Sequence, residues 1–443
     1  MAYSAFIFDS YRYDAASASL ALRYRFADGP CFEEKLFFDF PPRPLAPAAQ
    51  TVLDRIFRLV FLFSGVSYYK AFVPPVLRCE AFPIDRKTAA LVQKFYEKGL
   101  AEFAWKNGIS LRGQIRLQTD RVAPAEPAAL DLPRLTAVPV GGGKDSIVTI
   151  ECLKRAGEPA VLFALGDAEP IRGCIAASGM PSISVRRRLD SNLFKLNAAG
   201  ALNGHVPITG ILSAITLACA VLYGFDAIAM SNEHSANAPN LMIDDVEVNH
   251  QFSKSLEFEQ DFAEYIHQHI SPSVAYFSLL RPLSEIEIAR RFANYPTYFK
   301  IFRSCNTAFR QEPGARGRHW CCDCPKCRFV FLALAPFIAK SELIGIFGRN
   351  LLDDTAQFQG FAELCGLGEH KPFECVGEIS ESTAVTAYLG RDPDWREDRI
   401  VRQLHSAFPA LRQSDPAEYR ALLEATHPHR VPERYKAILD ACG

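Results

Sequence analysis

Val140-Gly141-Gly142-Gly143-Lys144-Asp145-Ser146 follows the short apolar run Leu135 to Val140 and opens a helical pattern. Three successive glycines let the backbone turn tightly and bring bare N–H groups toward an anion, and the next helix adds its positive end. The stretch reads as a phosphate cradle, with an ordinary strand-to-helix turn as the plain alternative. Working outward, strand Leu135 to Val140 leads into helix Asp145 to Ala156, and strand Ala160 to Leu165 into helix Pro170 to Ser178. Strand Ser182 to Arg187, helix Pro207 to Tyr223 and strand Asp226 to Met230 follow. This alternation predicts an α/β fold whose parallel sheet is covered on both faces, with ligands at the carboxyl ends of its strands.

A Walker loop requires G-x-x-x-x-G-K-[ST], and Asp145 stands where its magnesium-binding hydroxyl belongs. The stretch resembles instead the pyrophosphatase (PP) loop, S-G-G-x-D-S, of adenine-nucleotide α-hydrolase-like enzymes that split ATP into AMP and pyrophosphate. Gly142, Gly143, Asp145 and Ser146 match that pattern, while Gly141 replaces its first serine. The resemblance implies that the backbone of Gly141 to Gly143 and the Ser146 hydroxyl hold the β- and γ-phosphates of ATP. Lys144 then neutralises charge, and Asp145 either holds Mg2+ or caps the helix.

Composition excludes several classes. A chain of 443 residues is too long for one ordinary core. Lys plus Arg (49) and Asp plus Glu (50) leave a net charge of -1, so nothing draws the chain to nucleic acid or to an anionic membrane. A tRNA-modifying role loses ground accordingly. Met1 to Asp9 lacks the pattern of a signal peptide, and thirteen cysteines without disulfide-module spacing suit a reducing cytoplasm. Leu196 to Phe225 has the length of a membrane span, but Asn203, Gly204, Pro207, Gly210 and Gly224 favour a helix buried between a sheet and a second domain.

Ahead of the cradle, Phe6-Ile7-Phe8, Leu20 to Tyr24 and Phe32 to Phe40, with the turn Asp28-Gly29-Pro30, read as antiparallel strands. Val52, Ile56, Leu59, Val60 and Phe63 fall at helical spacing and Gly65 is expected to stop that helix; a second helix runs Lys87 to Trp105. The division expected is an N-terminal α+β domain (1–120), a Pro/Ala-rich linker (121–134), a nucleotide domain (135–300) and a mostly helical cysteine-knot region (301–443). Aromatic residues of the first domain are assigned to its core. Beyond the cradle, the polar run Ser231-Asn232-Glu233-His234-Ser235-Ala236-Asn237 follows a buried-looking strand and is a second candidate site edge. His205-Val206-Pro207 is a third. Arg186-Arg187-Arg188 is either an anion-binding fork or a surface charge run. Asn249 to Ser255 is expected to enter a helix through Glu264, Val274 to Leu280 to form a strand, and Ser284 with Glu287 to form a capping box.

Cys321-x2-Cys324-x2-Cys327, with Cys305 fifteen intervening residues earlier, offers four thiolates, the number that closes a tetrahedral zinc site. Four protein ligands leave the metal no open position, so Zn2+ there is structural. Cys322 is a fifth candidate and an iron–sulfur cluster the other ligand considered.

Loop, Pro282-Leu283-Ser284-x-x-Glu287, Ser304-Cys305-Asn306 and knot together resemble the deazaguanine nitrile synthases, which use ATP to activate a carboxylate, over Leu135 to Phe331. A fuller resemblance is to the UDP-N-acetylmuramoyl-L-alanyl-L-glutamate epimerases of bacterial cell-wall synthesis. It rests on Ser67 to Pro75, Val140 to Ser146, His205 to Pro207, Ser231 to Asn237, Val248 to Gln251, Ser253 to Ser255 and Lys371-Pro-Phe-Glu-Cys-Val-Gly-Glu378. It implies ATP- and Mg2+-dependent conversion of the terminal L-Glu of the UDP-MurNAc-dipeptide to D-Glu, with release of AMP and diphosphate. Inversion requires a base on one face and an acid on the other; Glu233, His234 and His250 are the candidates, each with a structural role as the plain alternative. Lys254 is assigned to the developing oxyanion or to solvent.

Overall fold

The computed structural model describes residues 3–39, 44–243, 246–309, 317, 319–368, 370–424 and 426–443. Phe40, at the end of one expected strand run, lies outside them. Twelve strands are present among the described residues: β1 (Ala5–Asp14), β2 (Ser19–Phe26), β3 (Cys31–Phe38), β4 (Val76–Cys79), β5 (Arg116–Leu117), β6 (Thr136–Pro139), β7 (Ala160–Leu165), β8 (Ser182–Arg188), β9 (Ala227–Met230), β10 (Leu241–Ile243), β11 (Val246–Val248) and β12 (Ala275–Ser278). All except the β10–β11 hairpin belong to one ten-stranded sheet, ordered β12-β9-β6-β7-β8-β3-β2-β1-β4-β5.

β12, β9, β6, β7 and β8 are mutually parallel. β3 adds to β8 antiparallel, Leu36 opposite Arg187, so the segments expected as N-terminal and nucleotide domains share one sheet. The 121–134 segment carries neither helix nor strand. Side chains alternate across the parallel strands, as the period of two requires. Ala137, Phe163, Ile228 and Tyr276 face one core, and Val138, Leu162, Ala229 and Phe277 the other. On the first face the helix Ile208–Tyr223 packs against Pro47–Ser64. It is the apolar part of the stretch weighed as a membrane span, and twelve of its sixteen residues are buried. Among the described residues no helix is long and apolar enough to cross a membrane. On the second face Lys144–Arg155 packs against Glu285–Phe292 and Glu433–Ala441.

Several local expectations are corrected. The first helix, Pro47–Ser64, does end at Gly65, but that residue's backbone stays right-handed helical and the short helix Val66–Tyr69 follows at once. Glycine is needed there for packing, since a Cβ would lie 2.6 Å from the Phe8 ring and 2.9 Å from the Tyr96 hydroxyl. The helix expected over Lys87 to Trp105 breaks at Leu100 into Arg86–Gly99 and Ala101–Lys106. Asn249 to Glu264 divides into a 3-10 turn, Phe252–Lys254, and the helix Leu256–Tyr265. Ser284 caps its helix by accepting from the Glu287 N–H, but the Glu287 carboxylate accepts from Arg290 and Arg291 instead of completing a box. Arg187 is neither a free anion fork nor a surface charge; it donates to both oxygens of buried Glu34 (2.7 and 3.0 Å) and so joins β8 to β3. Cys152 and Cys442 form a disulfide that ties the first helix of the parallel sheet to the last turn of the chain, a departure from the all-thiol state expected.

Candidate active site

Strand order reverses at β6, whose neighbours β7 and β9 lead away in opposite directions, and open parallel sheets bind ligands in the crevice above such a switch point. The carboxyl ends of three adjacent strands supply the site. β6 gives the glycine loop, β9 gives Ser231 to Asn237, and β12 gives Arg281, Ser284 and Glu285.

In the loop, Gly142 has φ +77, and a Cβ there would come within 2.8–3.0 Å of Pro170 and the Ile171 backbone nitrogen, so no other residue fits. Its carbonyl accepts from the Arg303 N–H (2.8 Å). Gly141 is exposed with nothing within 4 Å of its Cβ position, and Gly143 meets only Ser304 Cβ at 3.5 Å. The loop therefore presents an open backbone face at the N-terminus of Lys144–Arg155. Ser146 Oγ donates to the Gly143 carbonyl (3.1 Å). Lys144 is turned inward, bonded to Asp145 and to buried Glu285; burial works against its charge, but these two carboxylates hold its pKa above the ordinary lysine value. The Asp145 side chain is 32% exposed and makes no capping hydrogen bond, which leaves it accessible beside the loop.

Glu233 is buried (3%), and its carboxylate acts electrostatically on Lys254, Lys371 and Glu285. His234 stacks on His427 at 3.5 Å between centroids and approaches Glu378 at 3.7 Å; burial and His427 lower its pKa, which favours the neutral imidazole. His250 is not free. Its Nδ1 pairs with the Glu102 carboxylate, and Cys375 also acts on the ring, favouring its charged form. Lys254 Nζ donates to Cys375 Sγ at 3.3 Å.

Sequence reading passed over several groups here, four of which bear on the arrangement. Arg281, fully buried, donates to the Glu233 carbonyl (2.5 Å), to the Lys254 carbonyl and to Glu259 (3.0 Å), which locks the two candidate segments together. Glu381 accepts from the backbone N–H groups of Glu285 (2.7 Å) and Glu378 (2.6 Å). Buried Lys371 has no hydrogen-bond partner for Nζ among the described residues. Glu102, from the helix Ala101–Lys106, is the fourth, and its carboxylate faces His205 Nδ1 (3.7 Å) as well as His250. A single buried acid or lysine within an apolar pattern gives no local signal of this kind; Lys371 stood only inside a longer motif.

Burial would raise the Glu102 pKa, but His250 and Lys106 outweigh it and hold it at about 2; burial would lower that of His250, but Cys375 and Glu102 hold it at about 9. Glu102, depressed on folding, contributes stability above its ordinary 4.5, lost as pH falls toward 2. His250, raised on folding, contributes stability below its ordinary 6.5, lost as pH climbs through 9. The melting-temperature gap between wild type and Glu102→Gln should therefore be widest between pH 4.5 and 6.5 and narrow on both sides. A gap independent of pH contradicts this pairing.

The four knot cysteines come together beside the site. Cys321 and Cys327 sulfurs lie 3.6 Å apart, Cys324 and Cys327 3.5 Å, and Cys305 and Cys324 4.0 Å. A tetrahedral ion with metal–sulfur bonds of about 2.3 Å requires sulfur separations of about 3.8 Å, so this set fits one closed tetrathiolate centre. Cys322, the fifth candidate, is turned away toward the Phe347 carbonyl (3.2 Å).

Comparison with known proteins agrees in extent with this architecture. The family model described as the MurL N-terminal domain matches residues 1–279, and the MurL C-terminal domain matches 301–419. A UDP-N-acetyl-alpha-D-muramoyl-L-alanyl-L-glutamate epimerase from Xanthomonas oryzae pv. oryzae is 42% identical over 420 residues, covering 95% of this chain and 93% of that protein. Proteins of the same description from Salinispora tropica and Micromonospora sp. are each 42% identical and cover 98% of this chain, 95% and 97% of their own length respectively.

Proposed function

Because this chain belongs to the UDP-N-acetyl-alpha-D-muramoyl-L-alanyl-L-glutamate epimerase family, we propose that it is an isomerase of peptidoglycan precursor synthesis. It inverts the α-carbon of the terminal L-Glu of UDP-MurNAc-L-Ala-L-Glu, using ATP and releasing AMP and diphosphate. The observation that carries the ATP-dependent part is the meeting, above one topological switch point, of an open glycine loop and a cluster of buried acids, bases and lysines.

An α-hydrogen beside an ionised carboxylate resists removal because the carbanion would sit next to a second negative charge. Attack of a carboxylate oxygen on the α-phosphorus of ATP, with diphosphate leaving, removes that charge and makes the carbonyl a better electron sink. Each unit taken from the carbon acid's pKa is worth about 1.36 kcal/mol. One base then takes the proton, an acid returns another from the opposite face, and water releases AMP and the D-epimer. Gly141 to Gly143 and Ser146 hold the departing phosphates as a PP-type loop. Asp145 is the residue that would hold Mg2+, which neutralises phosphate charge when bound. Lys371, whose buried Nζ has no hydrogen-bond partner among the described residues, takes an anionic group of the substrate. Glu233 and His234 remain candidates for proton transfer, whereas His250 and Lys254 are engaged with Cys375 and act as fixed positive charges. The cysteine knot holds a structural Zn2+. The protein works in the cytoplasm, where its peptidoglycan precursor would be made.

Incubating purified protein with UDP-MurNAc-L-Ala-L-Glu, with and without ATP, tests this reading. D-Glu should appear only with ATP and with matching AMP. Epimerisation without nucleotide, or formation of an amide when ammonia is supplied, overturns it, the latter in favour of a deazaguanine-synthase-like activity.

A further inference from the structure

We propose that Cys375 is one of the two proton carriers at the glutamyl α-carbon, its sulfur held between Lys254 and His250 with Glu102 orienting the imidazole. This deepens the epimerase reading above and rests on it.

The assignment begins with geometry. Glu102 pairs with His250 Nδ1, Lys254 Nζ reaches the Cys375 sulfur at 3.3 Å, and His250 acts electrostatically on that same sulfur. A thiol, a histidine and an orienting carboxylate in series is the arrangement that generates a thiolate–imidazolium pair. Lys254 in turn lies within the electrostatic reach of Glu233 and of Asp145 in the glycine loop, so the sulfur belongs to the switch-point site. Cys375 as a residue is half-buried.

The surroundings hold it in place. Asn240 donates to the Pro372 carbonyl (2.7 Å) and accepts from the His250 N–H (2.9 Å), so one amide sets the register of the cysteine loop against its histidine. Glu374, the preceding residue, accepts from Asn306 (2.5 Å) and pairs with Lys326 (3.4 Å). Those two residues adjoin Cys305 and Cys327, so the knot fixes the loop from the other side. Phe373 stacks on Trp105 at 4.7 Å, beside the helix that carries Glu102.

Electrostatics agrees with the geometry. The charged groups facing the sulfur are Lys254, Lys326 and His250. Burial alone would raise the Cys375 pKa, but these three bring it down to about 6, whereas burial pushes the thiols of Cys174 and Cys365 up to about 12 and 11. A group that titrates near neutral pH can both accept and return a proton. In the step itself, the thiolate takes the α-hydrogen as a proton and becomes a thiol. The C–H electron pair moves into the activated carbonyl, and a different group protonates the carbon from the opposite face. The reverse direction runs the same transfers backwards, and no oxidant or reductant is required.

A two-base inversion has a signature that a structural cysteine lacks, because each base serves one epimer. With ATP and Mg2+ in deuterated water, wild type should wash deuterium into both UDP-MurNAc-L-Ala-L-Glu and its D-Glu epimer. Cys375→Ala and the near-isosteric Cys375→Ser should lose at least about 10²-fold of exchange from one epimer and continue to exchange the other. Both variants should retain substrate-dependent exchange of labelled diphosphate into ATP, which reports folding and activation separately. Absence of that exchange in wild type would count against the ATP reading, not against Cys375. Exchange of both epimers at wild-type rates, equal loss from both, or a substrate adduct on Cys375 in intact mass spectra overturns the proposal.

Discussion

Arg281→Leu is expected to cost the folded protein about 3–5 kcal/mol, the penalty for leaving one member of a buried ion pair alone. Arg281 and Glu259 are 0% and 1% exposed, so water cannot replace the guanidinium at the carboxylate. The substitution also strips donors from the carbonyls of Glu233 and Lys254. A domain is stabilised by only about 5–15 kcal/mol in total, so much of the protein should fail to accumulate in soluble form. Lysine offers a point charge in place of a fork and cannot reach three acceptors in three directions, so Arg281→Lys should rescue little. Adding Glu259→Leu to Arg281→Leu should return part of the loss by removing the stranded charge. Chemical denaturation that leaves Arg281→Leu within about 1 kcal/mol of wild type would contradict the role given to this residue.

Asp145→Asn should leave the fold standing and remove the activity. The side chain is 32% exposed and pairs with buried Lys144, which keeps Glu285 as a second partner, so the change should cost about 1 kcal/mol. If the carboxylate carries Mg2+ against the leaving diphosphate, its loss removes stabilisation of charge that develops in the transition state, worth about 10²–10³ in rate. AMP formation and epimerisation should fall together, and the dependence on Mg2+ concentration should shift upward. Normal AMP formation at the wild-type Mg2+ requirement would refute the assignment.

What was legible in the sequence was local. The glycine loop declared itself because φ +77 at Gly142 and the close approach of Pro170 admit no side chain, and because strand and helix periods alternate on either side. The knot was legible because metal ligation requires four sulfurs at short spacing. Distant pairings were not. Nothing in Cys31–Phe38 announces that it will hydrogen-bond to Ser182–Arg188, since both strands read as amphipathic or basic in isolation. Lys254 and Cys375 are 121 residues apart, and Glu102 and His250 are 148 apart. Each is one ordinary residue in its own segment, and only the packing of Ala101–Lys106 against the 370–375 loop makes them a unit. His250 was chosen in the sequence for its chemistry as a base; the fold gives it a carboxylate and a thiol as partners instead.

The account depends on transfer of the nucleotide's α-phosphorus to a substrate carboxylate before the C–H bond is broken. Substrate carrying 18O in the terminal α-carboxylate, turned over once with ATP and Mg2+, reports that bond directly in the mass of the AMP released. One 18O atom in AMP is the predicted result. Unlabelled AMP, or ADP as the nucleotide product, would contradict the account.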